Sequence, residues 1–590
     1  MNKAEIMRKA QSYLEQETEP GFRDEVTALL KKEDWEELGD RFYTDLAFGT
    51  GGLRGVIGGG FNRMNPFVVR RATQGLANYV QKEGATAPDG SRRAVIAYDS
   101  RRYSGTFALE AALVFAGNGI KTYLFTSLRP TPELSFAVRQ LSAATGIVLT
   151  ASHNPPEYNG YKVYWGDGAQ IVAPHDKAII KEVQGVSGHV KTLTKEDALE
   201  KGLLEYVDTE IDEKFVAMAK SVSIHPDLLR ERGKELRIVY TPLHGTGAFM
   251  VERVMGDLGI DVMTVPEQRE PDGEFPTVEF PNPEEASAMK MAVELGRSEK
   301  ADLVIGTDPD ADRIGIAVPE GDDLRLITGN QLGALLADYM YSQRKAAGTL
   351  PERPAFVKTI VTTELQRKIV EKYGVSCFDT LTGFKHIAAL VRKWEGMPDG
   401  PSYVMGDEES YGYMIGTDVR DKDSISAALL TAEMALYHVS QGKSVVDRLN
   451  ELYREFGYYE ESTISKYFRG QAGIGIMTGL MERLRKNPPA KVGGIDVVEI
   501  RDVQEGTTRY LPSGKVKKNI DLPVSNVLQF ILSDESVVSA RPSGTEPKIK
   551  FYASCSSAPG MELNAARTEV GGKIRKITAD IESWLSEAEG

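Results

Sequence analysis

Apolar stretches of strand length alternate along the chain with stretches whose apolar positions return every three or four residues. Arg93-Ala94-Val95-Ile96-Ala97-Tyr98-Asp99 reads as a buried strand, Ser104 to Gly117 as a helix, and Lys121-Thr122-Tyr123-Leu124-Phe125 as the next strand. The rhythm returns at Leu236-Arg237-Ile238-Val239-Tyr240, ahead of Gly245-Thr246-Gly247, and at Ala355-Phe356-Val357-Lys358-Thr359-Ile360. Strand, helix and strand in succession predict α/β layering, so three α/β units are expected. After Gly457-Tyr458-Tyr459 the pattern changes: strands near Val497 and Val527 and a long C-terminal helical pattern predict an α+β domain. Breaks fall between Tyr206 and Asp212, ahead of a helix from Glu213 to Ser221, and near Gly329, ahead of a helix from Gln331 to Tyr341. They divide the chain into 1–210, 211–329, 330–456 and 457–590, with no long linker, low-complexity segment or sequence repeat.

Three loops between strands carry chemistry. Thr150-Ala151-Ser152-His153-Asn154-Pro155 follows the apolar run Gly146-Ile147-Val148-Leu149, which places Ser152 where a rigid strand breaks into a turn. A serine hydroxyl is a weak nucleophile unless a base, a metal or a covalent modification changes its state. Gly306-Thr307-Asp308-Pro309-Asp310-Ala311-Asp312-Arg313, between Leu303-Val304-Ile305 and Ile314-Gly315-Ile316-Ala317-Val318, offers alternating carboxylates on a tight connection. Such hard oxygen ligands suit Mg²⁺. A helix-loop-helix calcium site needs Gly at the sixth position and Glu at the twelfth; this chain has Arg313 and Pro319 there. Arg541-Pro542-Ser543-Gly544-Thr545-Glu546-Pro547-Lys548 combines two hydroxyls, an approachable glycine backbone and two cations, a cradle for an anion such as phosphate. Near the start, Gly49-Thr50-Gly51-Gly52-Leu53-Arg54-Gly55 completes neither common nucleotide-binding glycine pattern and reads as a flexible loop bringing Arg54 to an anion.

Together and in this order, these motifs resemble the signatures of the α-D-phosphohexomutase superfamily, which includes phosphoglucomutases and phosphomannomutases. The N-terminal lead with Trp35, Leu38, Phe42, Tyr43 and Phe48 resembles the branch containing phosphoglucomutases and phosphopentomutases. The resemblance implies three similar α/β domains with mixed sheets and a C-terminal α+β domain around a central active-site cleft. It implies that Ser152 is phosphorylated, that Asp308, Asp310 and Asp312 hold Mg²⁺, and that Arg54 approaches the phosphoserine. Arg541, Ser543, Gly544, Thr545 and Lys548 would grip substrate phosphate. Gly406-Asp407-Glu408-Glu409-Ser410-Tyr411-Gly412 looks like the sugar-binding loop, with Glu408 and Ser410 on sugar hydroxyls. The additional acid leaves the choice between Glu408 and Glu409 open. Lys162 and Lys385 resemble the candidates for proton transfer, either of which can instead act as an electrostatic clamp, and His153 is expected to orient the serine loop.

The implied reaction passes phosphoryl from Ser152 to the free hydroxyl of a sugar phosphate, with the phosphoryl group of Ser152 completing the metal site. The resulting sugar bisphosphate, which also serves as primer, turns and returns its other phosphate. The expected activity interconverts sugar 1-phosphate and sugar 6-phosphate, with glucose favoured over mannose and then pentose. A phosphatase, a sugar bisphosphate synthase using the same serine and a catalytically silent sugar-phosphate sensor are the rival functions, although a silent sensor would be expected to lack the nucleophile or a carboxylate.

Composition is compatible with this reading. At about 100–200 residues per domain, 590 residues hold about three to five cores. A net charge of −14 argues against general attraction to nucleic acid, while local Arg and Lys clusters can still hold an anionic substrate. No apolar stretch approaches the ~20 residues that span a bilayer, and Met1 to Pro20 is charged rather than signal-like, so a cytoplasmic enzyme without membrane or obligate protein partner is expected. Cys377 and Cys555 stand far apart and imply neither a disulfide framework nor a zinc site.

Overall fold

A computed structural model describes residues 1–49, 51–188, 190–468, 470–543 and 548–589. The chain forms two compact units, Met1–Leu332 with Phe384–Gly442, and Gly333–Gly383 with Lys443–Gly590.

The first unit contains two mixed sheets. In the six-stranded sheet, Arg93–Tyr98 lies parallel to both Lys121–Phe125 and Thr145–Leu149, and Lys121–Phe125 is parallel to the edge strand Leu204–Val207. Tyr158–Trp165 then runs antiparallel to Thr145–Leu149 and to Gly52–Val56 at the other edge. Every residue of Thr145–Leu149 is buried, the mark of a strand covered on both faces. In the five-stranded sheet, Ile238–Thr241 is parallel to Val262–Thr264 and Leu303–Thr307, and Leu303–Thr307 is antiparallel to Ile314–Glu320, which pairs with Asp323–Ile327. The first unit also holds a hairpin of Ser402–Glu408 and Gly412–Ile415.

The N-terminal lead forms three helices, Lys3–Gln16, Pro20–Lys32 and Trp35–Phe42; Asn2 and Asp34 side chains cap the first and third. Their apolar stripes meet around Tyr13, Val26, Leu38 and Phe42, all fully buried.

In the second unit Pro354–Thr359 pairs in parallel with Ser376–Thr380. Beyond residue 456, an antiparallel sheet runs in the order Tyr459–Tyr467, Lys548–Ser556, Val537–Pro542, Leu528–Leu532, Ile495–Asp502, Thr507–Tyr510 and Val516–Lys518. The helix Leu563–Glu589 buries Ala566, Val570, Ile574, Ile577, Ile581 and Leu585, spaced three and four apart. Most of that stripe joins a core with Phe530 and Phe551 of the sheet. Each such side chain contributes about 1.5–3 kcal/mol on leaving water.

Two local expectations change. The glycine-rich stretch near Arg54 is not a loop throughout: Gly52–Val56 pairs with Tyr158–Lys162, and a Cβ on Gly52 would collide with the Tyr161 carbonyl, so Gly52 serves close strand approach. The helix expected from Glu213 begins at Thr209, directly after Asp208, whose side chain accepts from Thr126 N–H and Oγ1 at 3.1 and 2.6 Å.

Candidate active site

The serine loop leaves the buried strand Thr145–Leu149 and is held in an uncommon shape. Ser152 has φ 53°, a left-handed conformation that costs an L-residue about 1–2 kcal/mol. Its N–H donates to Thr150 Oγ1 at 2.8 Å. Arg101 supplies the rest: its guanidinium donates to the carbonyls of Ser152 at 2.6 Å, Pro155 at 2.8 Å and Tyr158 at 3.0 Å, and also to that of Asn154. The Arg101 side chain is fully buried, ion-paired to Asp99 at 3.4 Å and set over the Phe275 ring at 4.9 Å. Arg101 was not among the residues singled out from the sequence; the available signal is a cation two positions after Asp99, where a buried strand ends. Arg54 reaches the same loop by donating to Asn154 Oδ1 at 3.2 Å.

The aspartate loop lies against Ser152. Asp308 Oδ1 accepts from the N–H groups of Asp312 and Arg313, both at 3.0 Å, which closes the turn. Asp308 Oδ2 accepts from Ser152 Oγ at 2.9 Å. Because that bond uses the hydroxyl proton, the 3.1 Å contact between Ser152 Oγ and His153 Nδ1 requires the ring nitrogen to donate. His153 thus touches the hydroxyl of the loop that it is expected to orient. Burial, followed by the charges of Arg313 and Arg54, holds its pKa well below the usual histidine range, so the ring is neutral.

Neighbouring segments pin the loop from three sides. Thr131 donates its N–H to Asp310 O at 2.9 Å and its hydroxyl to Asp310 Oδ2 at 2.8 Å. Thr246 N–H donates to Pro309 O at 2.8 Å, and a Cβ on Gly245 would strike Pro309 Cα. Ser424 Oγ donates to Ala311 O at 2.5 Å.

Asp308, Asp310 and Asp312 are buried, and one oxygen from each lies within 4.8 Å of the others. Among the described residues, Asp310 Oδ1 and Asp312 Oδ1 have no hydrogen-bond partner. Buried carboxylate oxygens without donors, converging from three residues, fit a hard divalent cation. Burial and the other two aspartates push Asp308 well above the usual carboxylate range. Burial acts upward on Asp312 as well, but Lys162, Lys422 and Arg313 outweigh it and hold Asp312 low. Lys162 Nζ bridges Asp310 Oδ2 at 2.6 Å and Asp312 Oδ2 at 3.2 Å. Burial lowers the Lys162 pKa, the two aspartates overcome it, and the ammonium stays charged. That favours the clamp over the base.

Glu408 is buried at the end of Ser402–Glu408, half-buried Ser410 follows it, and Tyr411 O accepts from Ile314 N–H at 3.0 Å, joining this loop to the strand after the aspartates. The charge of Glu408 acts on Lys422 and Arg313. Lys385 is half-buried in the first turn of Phe384–Glu395. Arg541, Ser543 and Lys548 belong to the second unit, where Ser543 N–H donates to Lys548 O at 2.7 Å. Gly544 and Thr545 lie outside the described residues. Among the described residues, no helix is long and apolar enough to cross a membrane.

The sequence matches three family models: phosphoglucomutase/phosphomannomutase α/β/α domain I over residues 45–188, domain II over 213–321 and domain III over 328–456. It is 33% identical to a phosphoglucomutase of Staphylococcus haemolyticus over 537 residues, 90% of this chain and 93% of the relative. It is 34% identical to a human phosphopentomutase over 591 aligned positions, 94% of this chain and 92% of the relative. The fold resembles that of parafusin, a phosphoglucomutase from Paramecium, with TM-score 0.67 at 18% identity, covering 93% of this chain and 95% of that one.

Proposed function

The chain belongs to the phosphoglucomutase/phosphomannomutase family and is a phosphosugar mutase, and we propose that it interconverts sugar 1-phosphate and sugar 6-phosphate, glucose phosphates first, through a phosphoserine at Ser152. The observation that carries this reading is the 2.9 Å hydrogen bond from Ser152 Oγ to Asp308, beside two aspartate oxygens without donors among the described residues.

In the proposed reaction the bond between phosphorus and Ser152 Oγ breaks as the free sugar hydroxyl forms its bond to phosphorus, and the hydroxyl proton leaves to a base. Lys162, held charged by Asp310 and Asp312, binds and steadies phosphoryl oxygens, which leaves Lys385 as the lysine proposed for proton transfer. Arg101 fixes the loop from which Oγ projects, and Arg54 adds positive charge at its mouth. Mg²⁺ held by Asp308, Asp310 and Asp312 would supply charge to phosphoryl oxygens when bound. Glu408 and Ser410 are proposed to bind sugar hydroxyls, and Arg541, Ser543, Gly544, Thr545 and Lys548 the distal phosphate. The bisphosphate then turns and returns its second phosphoryl group to Ser152, so a trace of sugar bisphosphate primes the unphosphorylated enzyme.

The human phosphopentomutase relative favours pentose phosphates as the second reading. Initial rates on glucose 1-phosphate, mannose 1-phosphate and ribose 1-phosphate, each primed with bisphosphate, decide between them: glucose fastest without release of inorganic phosphate is the expected result. Ser152→Ala should lower turnover by about 10³-fold or more and remove the phosphorylated Thr150 to Pro155 peptide. Full turnover in that variant would overturn the mechanism.

A further inference from the structure

Arg420-Asp421-Lys422-Asp423 is a run of charges for which the reaction just described has no task, yet its members are only 1%, 0%, 9% and 2% exposed. Lys422 Nζ stands 3.1 Å from Asp421 Oδ1 and 3.1 Å from Asp312 Oδ2, so one ammonium is shared between a metal-loop carboxylate and its own neighbour in sequence. The Lys422 stem fills the place that a side chain on residue 412 would occupy, a position held by Gly412, and the Phe384 ring lies 5.4 Å from Nζ. Packing therefore confines the ammonium to this seat.

Asp421 is itself fixed. Tyr164 Oη donates to its Oδ2 at 2.7 Å, Gln170 Nε2 donates to the same oxygen at 3.0 Å, and Lys422 N–H donates to Oδ1 at 2.8 Å. With Asp421 the cluster sets four carboxylates, Asp308, Asp310, Asp312 and Asp421, against the three cations Lys162, Lys422 and Arg313. Without Asp421 the count is three against three, and more of the Lys422 charge falls on Asp312, with Glu408 the other carboxylate acting on it.

We infer that Asp421 is a positioning residue that draws Lys422 back from Asp312 and so sets how tightly the aspartate triad takes a divalent cation. This rests on the reading of residues 308–312 as a metal loop. The groups that orient metal ligands from behind commonly change metal affinity about 10–100-fold when altered. Here the lever is a competing ammonium: the less of its charge Asp421 absorbs, the less Asp312 has to offer a cation.

The test is a titration of the full-length, unphosphorylated protein with Mn²⁺ alone, following free Mn²⁺ by electron paramagnetic resonance, with no substrate present. Asp421→Asn keeps the shape and removes the charge; its Kd should rise about tenfold or more. Adding Lys422→Met restores the one-charge excess of carboxylates and should bring Kd back to within about threefold of the parent. A folded Asp421→Asn protein whose Kd stays within about twofold of the parent overturns the inference, as does a weakening that Lys422→Met leaves in place, since a packing role alone would lower thermal stability without this charge-dependent rescue. If Asp421→Asn does not fold, Tyr164→Phe carries the test: with one donor fewer, Asp421 draws more of the Lys422 charge away from Asp312, so Kd should fall about threefold, and an unchanged or raised Kd sinks the proposal. A parent protein that takes up no Mn²⁺, or takes it up equally well after Asp310→Asn, instead removes the metal-loop reading itself.

Discussion

Ser152 Oγ donates to Asp308 Oδ2 over 2.9 Å although the two residues stand 156 positions apart. One lies after a strand of the six-stranded sheet and the other after a strand of the five-stranded sheet, so the contact depends on how those sheets present their loops. Anything that shifts either loop by a fraction of an ångström should be felt in catalysis.

Arg101 is the strongest single brace on the serine loop. Replacing it with Met leaves Asp99 as a buried carboxylate without its cation and frees four carbonyls, so a loss of about 3–5 kcal/mol in urea unfolding is expected. Arg101→Lys should recover little, because an ammonium cannot span the carbonyls of residues 152 to 158 as the planar fork does.

Gly245 sits where a methyl group would meet Pro309. Gly245→Ala should destabilise the protein by about 1–3 kcal/mol through overpacking and weaken divalent-cation binding at the same time. Thermal unfolding and cation titration of the same sample check both effects, and a shift in stability alone would show that the strain relaxes away from the aspartates.

Removal of divalent cations by a chelator should abolish mutase activity and Mg²⁺ should restore it. Asp310→Asn, which takes one charge from a buried triad, should raise the Mg²⁺ concentration needed for half-maximal activity about tenfold or more.

Acid should weaken the second unit at a specific place. Burial pushes Glu364 upward, but Lys358 at 2.7 Å and Arg367 outweigh it and bring its pKa down to about 2. A carboxyl lowered from about 4.5 adds stability that is complete above pH ~4.5 and disappears as pH falls toward ~2. Melting temperatures measured across that window should fall, and Lys358→Met should flatten part of the decline. Equal slopes in both proteins would assign the acid limb to other groups.

The strands on either side of Ser152 and of the aspartates were readable because continuous apolar runs of that length are a local property. Ser104 to Gly117 and Lys121 to Phe125 fall where the pattern predicts them. Arg101 and Lys422 were not readable in the same way. Charged residues in a short sequence window look solvated, and only the surrounding fold shows that the Arg101 side chain is fully buried and that Asp421 and Lys422 are 0% and 9% exposed.

The amino-acid sequence by itself determined the kinds of element and the family, and pointed to three loops as candidates for chemistry, since periodicity, turn residues and motif spacing act over a few neighbouring positions. Tertiary structure decided which charges face one another: that Lys162 bridges Asp310 and Asp312, that Lys422 is divided between Asp312 and Asp421, and that Tyr164 anchors Asp421 from 257 residues away. Those contacts depend on where separate sheets and loops come to rest, and Coulomb interactions in a buried site depend on distance and exclusion of water rather than on order along the chain.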